Sequence, residues 1–194
     1  MKHLSQKDYR ISDWSGGKTI QITIGPADAV YADRDFLWRV SSATVDLPES
    51  DYSSLPDYMR FITPLRGEMR LSHNGAAAFD LETYEIHYFD GADATHSWGC
   101  CTDFNLMLRK GVCDGSMISF ASAERPVTVV PEEYVETMVV YCTKGSVTVS
   151  CENGSVELAE KESALLSGGR IGPVTLEFAD GGRAVAAEMW PVKE

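Results

Sequence analysis

No apolar run in this chain of 194 residues approaches the roughly 20 that a membrane-spanning helix requires. The opening residues, Met1-Lys-His-Leu-Ser-Gln-Lys-Asp-Tyr9, hold no hydrophobic signal core. These absences predict a cytoplasmic protein with no membrane partner. Basic residues are also scarce. Lys and Arg number 17 against 29 Asp and Glu, for a formal net charge of -12. A field of that sign repels phosphate backbones, so no nucleic-acid partner is expected. A cavity can still be locally basic, because global charge does not set its potential.

Chemistry-bearing motifs are missing as well. The cysteines Cys100, Cys101, Cys113, Cys142 and Cys151 form no CxxC pair, and their odd number fits no disulfide framework. Cys142 and Cys151 could meet across a hairpin, but buried thiols are the expectation. The histidines are His3, His73, His87 and His96, and no two stand one residue apart. A bound metal needs three or four convergent ligands, so no metal and no cofactor is expected. Alternation puts His87 and Glu85 on one strand face, which reads as a solvated pair. There is no GxSxG elbow, and no favourable Cys-His spacing. Gly16-Gly17 precedes a strand, so it lacks the helix N-terminus that would hold phosphate.

What the chain does have is many short alternating or β-branched runs, separated by Gly, Pro, Asn and Asp. Among them are Lys18 to Ile24, Met59 to Leu65, Met69 to Ser72, Phe104 to Arg109, Val135 to Cys142, Val147 to Cys151 and Ala184 to Met189. Such spacing predicts an all-β sandwich or barrel. Helix is expected only as short pieces, at Gln6 to Tyr9 and Ala121 to Glu124. Leu65-Arg-Gly-Glu-Met-Arg-Leu-Ser-His-Asn-Gly75 resembles Thr143-Lys-Gly-Ser-Val-Thr-Val-Ser-Cys-Glu-Asn-Gly154, about 78 positions on. Each block runs strand, basic-Gly turn, strand, Asn-Gly turn, as a duplicated β module would. The expectation is a cupin-like double jelly roll (a bicupin) of two packed β-barrel modules. The first would span residues 1–122 and the second 123–194, borrowing Lys18 to Ile24 to cover an edge.

Polar residues on otherwise apolar strands are the candidates for function. In Phe36-Leu-Trp-Arg-Val-Ser-Ser-Ala-Thr-Val45, one face carries Leu37, Arg39, Ser41, Ala43 and Val45. The other face is apolar too, so the strand is covered on both sides. Arg60 enters the strand ahead of the first Gly turn. In Thr102-Asp-Phe-Asn-Leu-Met-Leu-Arg109, Asp103, Asn105, Met107 and Arg109 share a face opposite Phe104, Leu106 and Leu108. A desolvated arginine needs an anion or several acceptors. Two readings stay open. Either Asp103 pairs with Arg39 or Arg60 as a structural bridge, or Arg39, Ser41, Arg60, Asp103 and Asn105 line a binding pocket.

These residues resemble the HutD/Ves family of cupin-like proteins, linked to histidine utilisation. The resemblance rests on Trp14-Ser-Gly-Gly-Lys-Thr19, Phe36-Leu-Trp-Arg-Val-Ser-Ser-Ala43, Tyr52-Ser-Ser-Leu-Pro-Asp-Tyr-Met-Arg60, Leu65-Arg-Gly67 and Asp103-Phe-Asn-Leu-Met107. The opening motif is shorter here and lacks the family's asparagine. Ile20-Gln21 stands near a usual acidic position, and Tyr52 replaces phenylalanine. Arg39, Ser41, Arg60, Asp103 and Asn105 match. The resemblance implies a bicupin without the usual metal set, which senses or moderates histidine degradation. Its ligand would be a small carboxylate such as formylglutamate, formiminoglutamate or urocanate. The leading expectation is therefore a non-catalytic regulatory binder, and the same reading allows a homodimer. The alternatives are a metal-independent isomerase or hydrolase with Asp103 as base, and a structural or protein-interaction module.

Overall fold

A computed structural model describes residues 1–193 and shows an all-β chain. The described helix is limited to two single 3-10 turns, Gln6–Asp8 and Tyr31–Asp33. The expected helix at Ala121 to Glu124 does not form. Cys113–Ala121 is strand, and irregular chain follows to Pro126. Four residues with no cap cannot repay the cost of helix nucleation. Among the described residues, no helix is long and apolar enough to cross a membrane.

The chain divides into two compact units: Arg10–Cys113, and Met1–Tyr9 together with the residues from Asp114 onward. This division departs from a boundary at residue 122. Strand pairing is the reason. Lys2–Leu4 lies antiparallel to Ser163–Ser167 with Leu4 opposite Ser163, and Cys113–Ala121 lies beside Arg183–Pro191. The strand expected to be borrowed, Gly17–Gly25, pairs instead with Trp38–Val45 inside the first unit.

Each unit consists of two open sheets, where closed barrels were expected. In the first unit a six-stranded sheet runs, in spatial order, Arg10–Trp14, Gly17–Gly25, Trp38–Val45, Cys101–Arg109, Tyr58–Gly67 and His87–Asp90. Its four-stranded companion runs Glu49–Asp51, Thr95–Trp98, Met69–His73 and Phe79–Leu81. In the second unit the five-stranded sheet runs Lys2–Leu4, Ser163–Ser167, Thr137–Lys144, Arg183–Pro191 and Cys113–Ala121. Its four-stranded companion runs Val127–Val129, Val174–Phe178, Ser146–Cys151 and Gly154–Ala159. Among the described residues no ladder joins the edges of paired sheets, so what holds them together is side-chain packing. Val45 and Ile62 from one sheet meet Met69, Leu71 and Leu81 from the other in a single core. Met138, Val140 and Ala186 meet Val147, Val149 and Leu176 in the same way.

The repeated sequence block has a structural meaning. In both units the strand entering the basic-Gly turn belongs to the larger sheet, and the strand leaving it belongs to the smaller. The turn is the crossover between layers. Gly67 makes it with φ +89°, and a Cβ there would collide with the backbone oxygen of Cys100. Both the dihedral and the contact exclude a side chain. Gly67→Ala is expected to cost about 1–3 kcal/mol, read as a lower urea midpoint at unchanged slope.

Candidate functional site

The middle of the six-stranded sheet sets three strands in register. Met107 on Cys101–Arg109 stands opposite Arg39 on one side and Arg60 on the other. Two residues along, Asn105 stands opposite Ser41 and Ile62; two further, Asp103 stands opposite Ala43 and Pro64. Residues directly opposite in antiparallel strands place their Cβ atoms about 4.5–5.5 Å apart, so each row is in mutual reach. Period-2 alternation then puts all three rows on one face. The other face buries Val40, Phe104, Leu106 and Leu108, each at most 1% exposed.

That face lines a cavity of about 310 Å³ within the first unit. Arg39, Ser41, Arg60, Asp103 and Asn105 all border it, so the structure brings together the five residues chosen from sequence. Its remaining wall includes Trp14, Tyr31, Arg34, Tyr52 and Leu55. The arginines are buried, Arg39 at 4% and Arg60 at 6% exposure, and Asp103 is at 3%. A cavity of this size and lining suits a small polar molecule.

The hydrogen bonds show how the buried charges are partnered. Arg39 Nε donates to Gln21 Oε1 at 2.9 Å and its Nη1 to Ser41 Oγ at 3.3 Å. Arg60 Nη2 donates to Asn105 Oδ1 at 2.9 Å, and Asn105 Nδ2 donates to Asp103 Oδ1 at 2.8 Å. Arginine can only donate, so the Asn105 amide has a fixed orientation. Among the described residues neither arginine forms an ion pair with Asp103; Asn105 stands between. Arg60 Nε, Arg34 Nη1 and Trp14 Nε1 are buried donors without an acceptor. Aromatic rings support the guanidinium groups. Arg34 and Arg39 each lie 4.0 Å from the ring centre of Tyr31, and Arg60 lies 5.0 Å from Tyr52 and 5.1 Å from Phe89. Cation–π contacts stabilise such charges without neutralising them.

With this geometry established, similarity to known proteins can be weighed. The HutD family profile matches residues 6–186. The chain belongs to the HutD family. No curated protein matches it. Among solved structures, a conserved protein of unknown function from Pseudomonas aeruginosa PAO1 is 23% identical, with 97% of each chain covered and a TM-score of 0.82. HutD from Pseudomonas fluorescens SBW25, in a formate condition, is 22% identical, with 99% of each chain covered and a TM-score of 0.79. Bacillus subtilis oxalate decarboxylase is 8% identical. It covers all of this chain and is itself 78% covered, with a TM-score of 0.63. These likenesses are likenesses of fold. Membership in the HutD family suggests a role in histidine utilisation.

In this HutD-family site, burial dominates the electrostatics. It pulls the Arg39 guanidinium down to about 10, with repulsion from Arg60 and Arg34 adding to the fall, and leaves it charged at neutral pH. Arg60 is lowered for the same first reason. Burial pushes the Asp103 carboxyl from 3.8 up to about 6, against the opposing pull of Asn105 and both arginines. The native state therefore holds the Asp103 proton more tightly than the unfolded chain does. Stability from this group is present below pH 3.8 and is lost as pH rises through 6. Relative to wild type, Asp103→Asn is expected to gain about 2 kcal/mol between pH 4 and pH 7.5, at roughly 1.4 kcal/mol per pKa unit. Urea unfolding of both proteins at the two pH values measures it.

Some wall residues escaped the sequence reading. Arg34 and Tyr31 lie in a 3-10 turn and its αL cap, where no periodicity points inward. Gln21 reaches Arg39 across a register shift between Gln21 and Thr23, which alternation could not reveal. Trp14 both packs against the core around Ile62 and Leu71 and borders the cavity. The His87 pairing also differs. Its partner is His73, with the two Nε2 atoms 2.8 Å apart, because their strands belong to sheets that face each other. His3 bonds Glu162, and His96 bonds Asp51. All five cysteines are free thiols.

Proposed function

We propose that this HutD-family protein binds a small carboxylate and regulates histidine degradation through that binding, without catalysing a reaction. One observation carries the reading. Two buried, charged arginines share a cavity with a single buried carboxyl, Asp103, that neither touches, while Asp13 and Asp51 at its exposed rim pair with Lys18 and His96; among the described residues Trp14 Nε1, Arg34 Nη1 and Arg60 Nε on the wall lack acceptors. A carboxylate supplies both the missing charge and the acceptor atoms, and arginine's planar fork matches it. Formylglutamate, formiminoglutamate and urocanate fit this chemistry. We read the two units as cupin-like modules of a double jelly roll, with the pocket in the first. Calorimetry and thermal shift against the three acids should show saturable, stabilising binding, while glutamine amide shows none. Failure of all three acids to bind would remove the reading.

The raised Asp103 carboxyl favours a second reading, a metal-independent isomerase or hydrolase with Asp103 as general base. Turnover of any of the three acids followed by NMR, and its loss in Asp103→Asn, would establish it. Unchanged spectra leave the binder.

A further inference from the structure

Asp103 is a buried carboxyl held at one remove from the charges around it. Its Oδ1 accepts from Asn105 Nδ2, while Ser42 Oγ donates at 2.6 Å to its backbone oxygen, away from the carboxyl. Arg60 Nη2 is engaged by Asn105, and two of the Arg39 donors by Gln21 and Ser41. The carboxyl is therefore linked to Arg60 only through an amide. A ligand carboxylate drawn to the arginines enters the cavity that Asp103 also borders. A second carboxylate in that desolvated space repels the first and raises the affinity of the pair for a proton.

We propose that the pocket takes up its carboxylate together with one proton, carried by the Asp103 carboxyl. This rests on the carboxylate-binding reading above. The balance is simple: ligand carboxylate, Asp103 carboxylate and one solvent proton become a ligand carboxylate accepting a hydrogen bond from the Asp103 carboxylic acid. One O–H bond forms on the Asp103 carboxyl, its proton released by the solvent acid that carried it, and no other covalent bond changes. Asn105 continues to donate to Oδ1, so the relay to Arg60 survives, and the new O–H adds a donor beside the arginines. The uncombined protein carries a charge on Asp103 that offsets part of the arginine field. The loaded protein replaces that charge with the ligand's own.

The groups facing Asp103 leave it as the proton carrier. Arg39 and Arg60 face it from the neighbouring strands, Tyr52 from its loop and Cys101 from its own strand; Tyr31 and Arg34 of the 3-10 turn line the same cavity, as do Asp13, paired with Lys18, and Asp51, paired with His96. Arg39 stays charged at neutral pH. Burial pushes Cys101 up to about 12 and Tyr52 higher still, so both stay protonated. Asp103, already near 6, is the one that changes state with little cost. His73 and His87 lie behind Phe89, with ring centres 4.9 and 5.6 Å from it, and burial pulls both below 6.5. They are the competing proton acceptors, and the test separates them.

The probe is formylglutamate, titrated calorimetrically at pH 7.0 in Bis-Tris and in Tris, neither of which carries a carboxylate or an imidazole. The dependence of the observed heat on buffer ionisation heat counts protons taken up per ligand. The expected count approaches one, and affinity is expected to fall about tenfold from pH 7 to pH 8. In Asp103→Asn the count is expected to fall to zero and the pH dependence to flatten. Binding by wild type with no proton uptake overturns this inference and leaves the carboxylate reading standing. Uptake that persists in Asp103→Asn assigns the proton to the histidine pair and overturns it as well. Absence of binding overturns both. If that variant folds poorly, His87→Gln decides: an unchanged proton count keeps the proton on Asp103, and loss of uptake assigns it to the histidine pair and overturns the inference.

Discussion

Arg60→Ala is expected to weaken carboxylate binding by about 10- to 150-fold, the loss of one charge-assisted contact at roughly 1.5–3 kcal/mol. Arg60 is 6% exposed, and its Nε is a buried donor with no acceptor in the protein. Its single side-chain bond runs to Asn105. The rest of its support comes from the faces of Tyr52 and Phe89, which hold the guanidinium without cancelling its charge. Most of its donor capacity is thus available to a ligand. Arg60→Lys is expected to recover only part of the loss, because an ammonium cannot present a planar fork. Adding Arg39→Ala should cost less than the sum of the two single changes, since both flank Met107 and share one ligand. Calorimetry on all four proteins measures these effects, with urea unfolding to show that each is folded. Wild-type affinity in Arg60→Ala would place the ligand elsewhere.

The largest effect on stability is expected at Phe36. This residue is 0% exposed, its ring stacks on Tyr58 at 4.3 Å, and it meets Tyr31 at 5.8 Å. Tyr58 Oη also donates to the Phe36 backbone oxygen at 3.0 Å. With Ile24, Leu55 and Met107 these rings form a separate small core. Phe36→Ala removes a fully buried ring and leaves a cavity that the sheet cannot collapse into, at a cost of about 3–5 kcal/mol. Denaturant unfolding should show it as a lower midpoint. Binding should suffer too, because Tyr31 rests on Phe36 and the guanidinium groups of Arg34 and Arg39 rest on Tyr31. Weaker binding in a variant that remains fully folded would separate this positional effect from unfolding. A loss of under 1 kcal/mol would mean that the cluster repacks.

Arg39, Ser41, Asp103 and Asn105 were legible because alternation is local. A side chain's face follows from its parity along the strand, and these four share the cavity face. Arg60 was legible as a charge beside apolar neighbours, and its place opposite Met107 was not. The sheet crossover at Gly67 showed in the repeated block, because a positive φ leaves a glycine in the sequence. The unit boundary was misread because edge pairing is long-range. Nothing in Lys2–Leu4 announces Ser163–Ser167 as its neighbour.

Parity, turn residues and charge thus settle which residues form strands and which polar side chains share a face, since each depends on a few neighbours along the chain. Whether Arg39 and Arg60 were already neutralised by Asp103 depended on register and on the intervening Asn105 amide. Only the tertiary structure decides that. Strands far apart in sequence must first be paired before a difference of one hydrogen bond separates a structural bridge from a pocket with charge to spare.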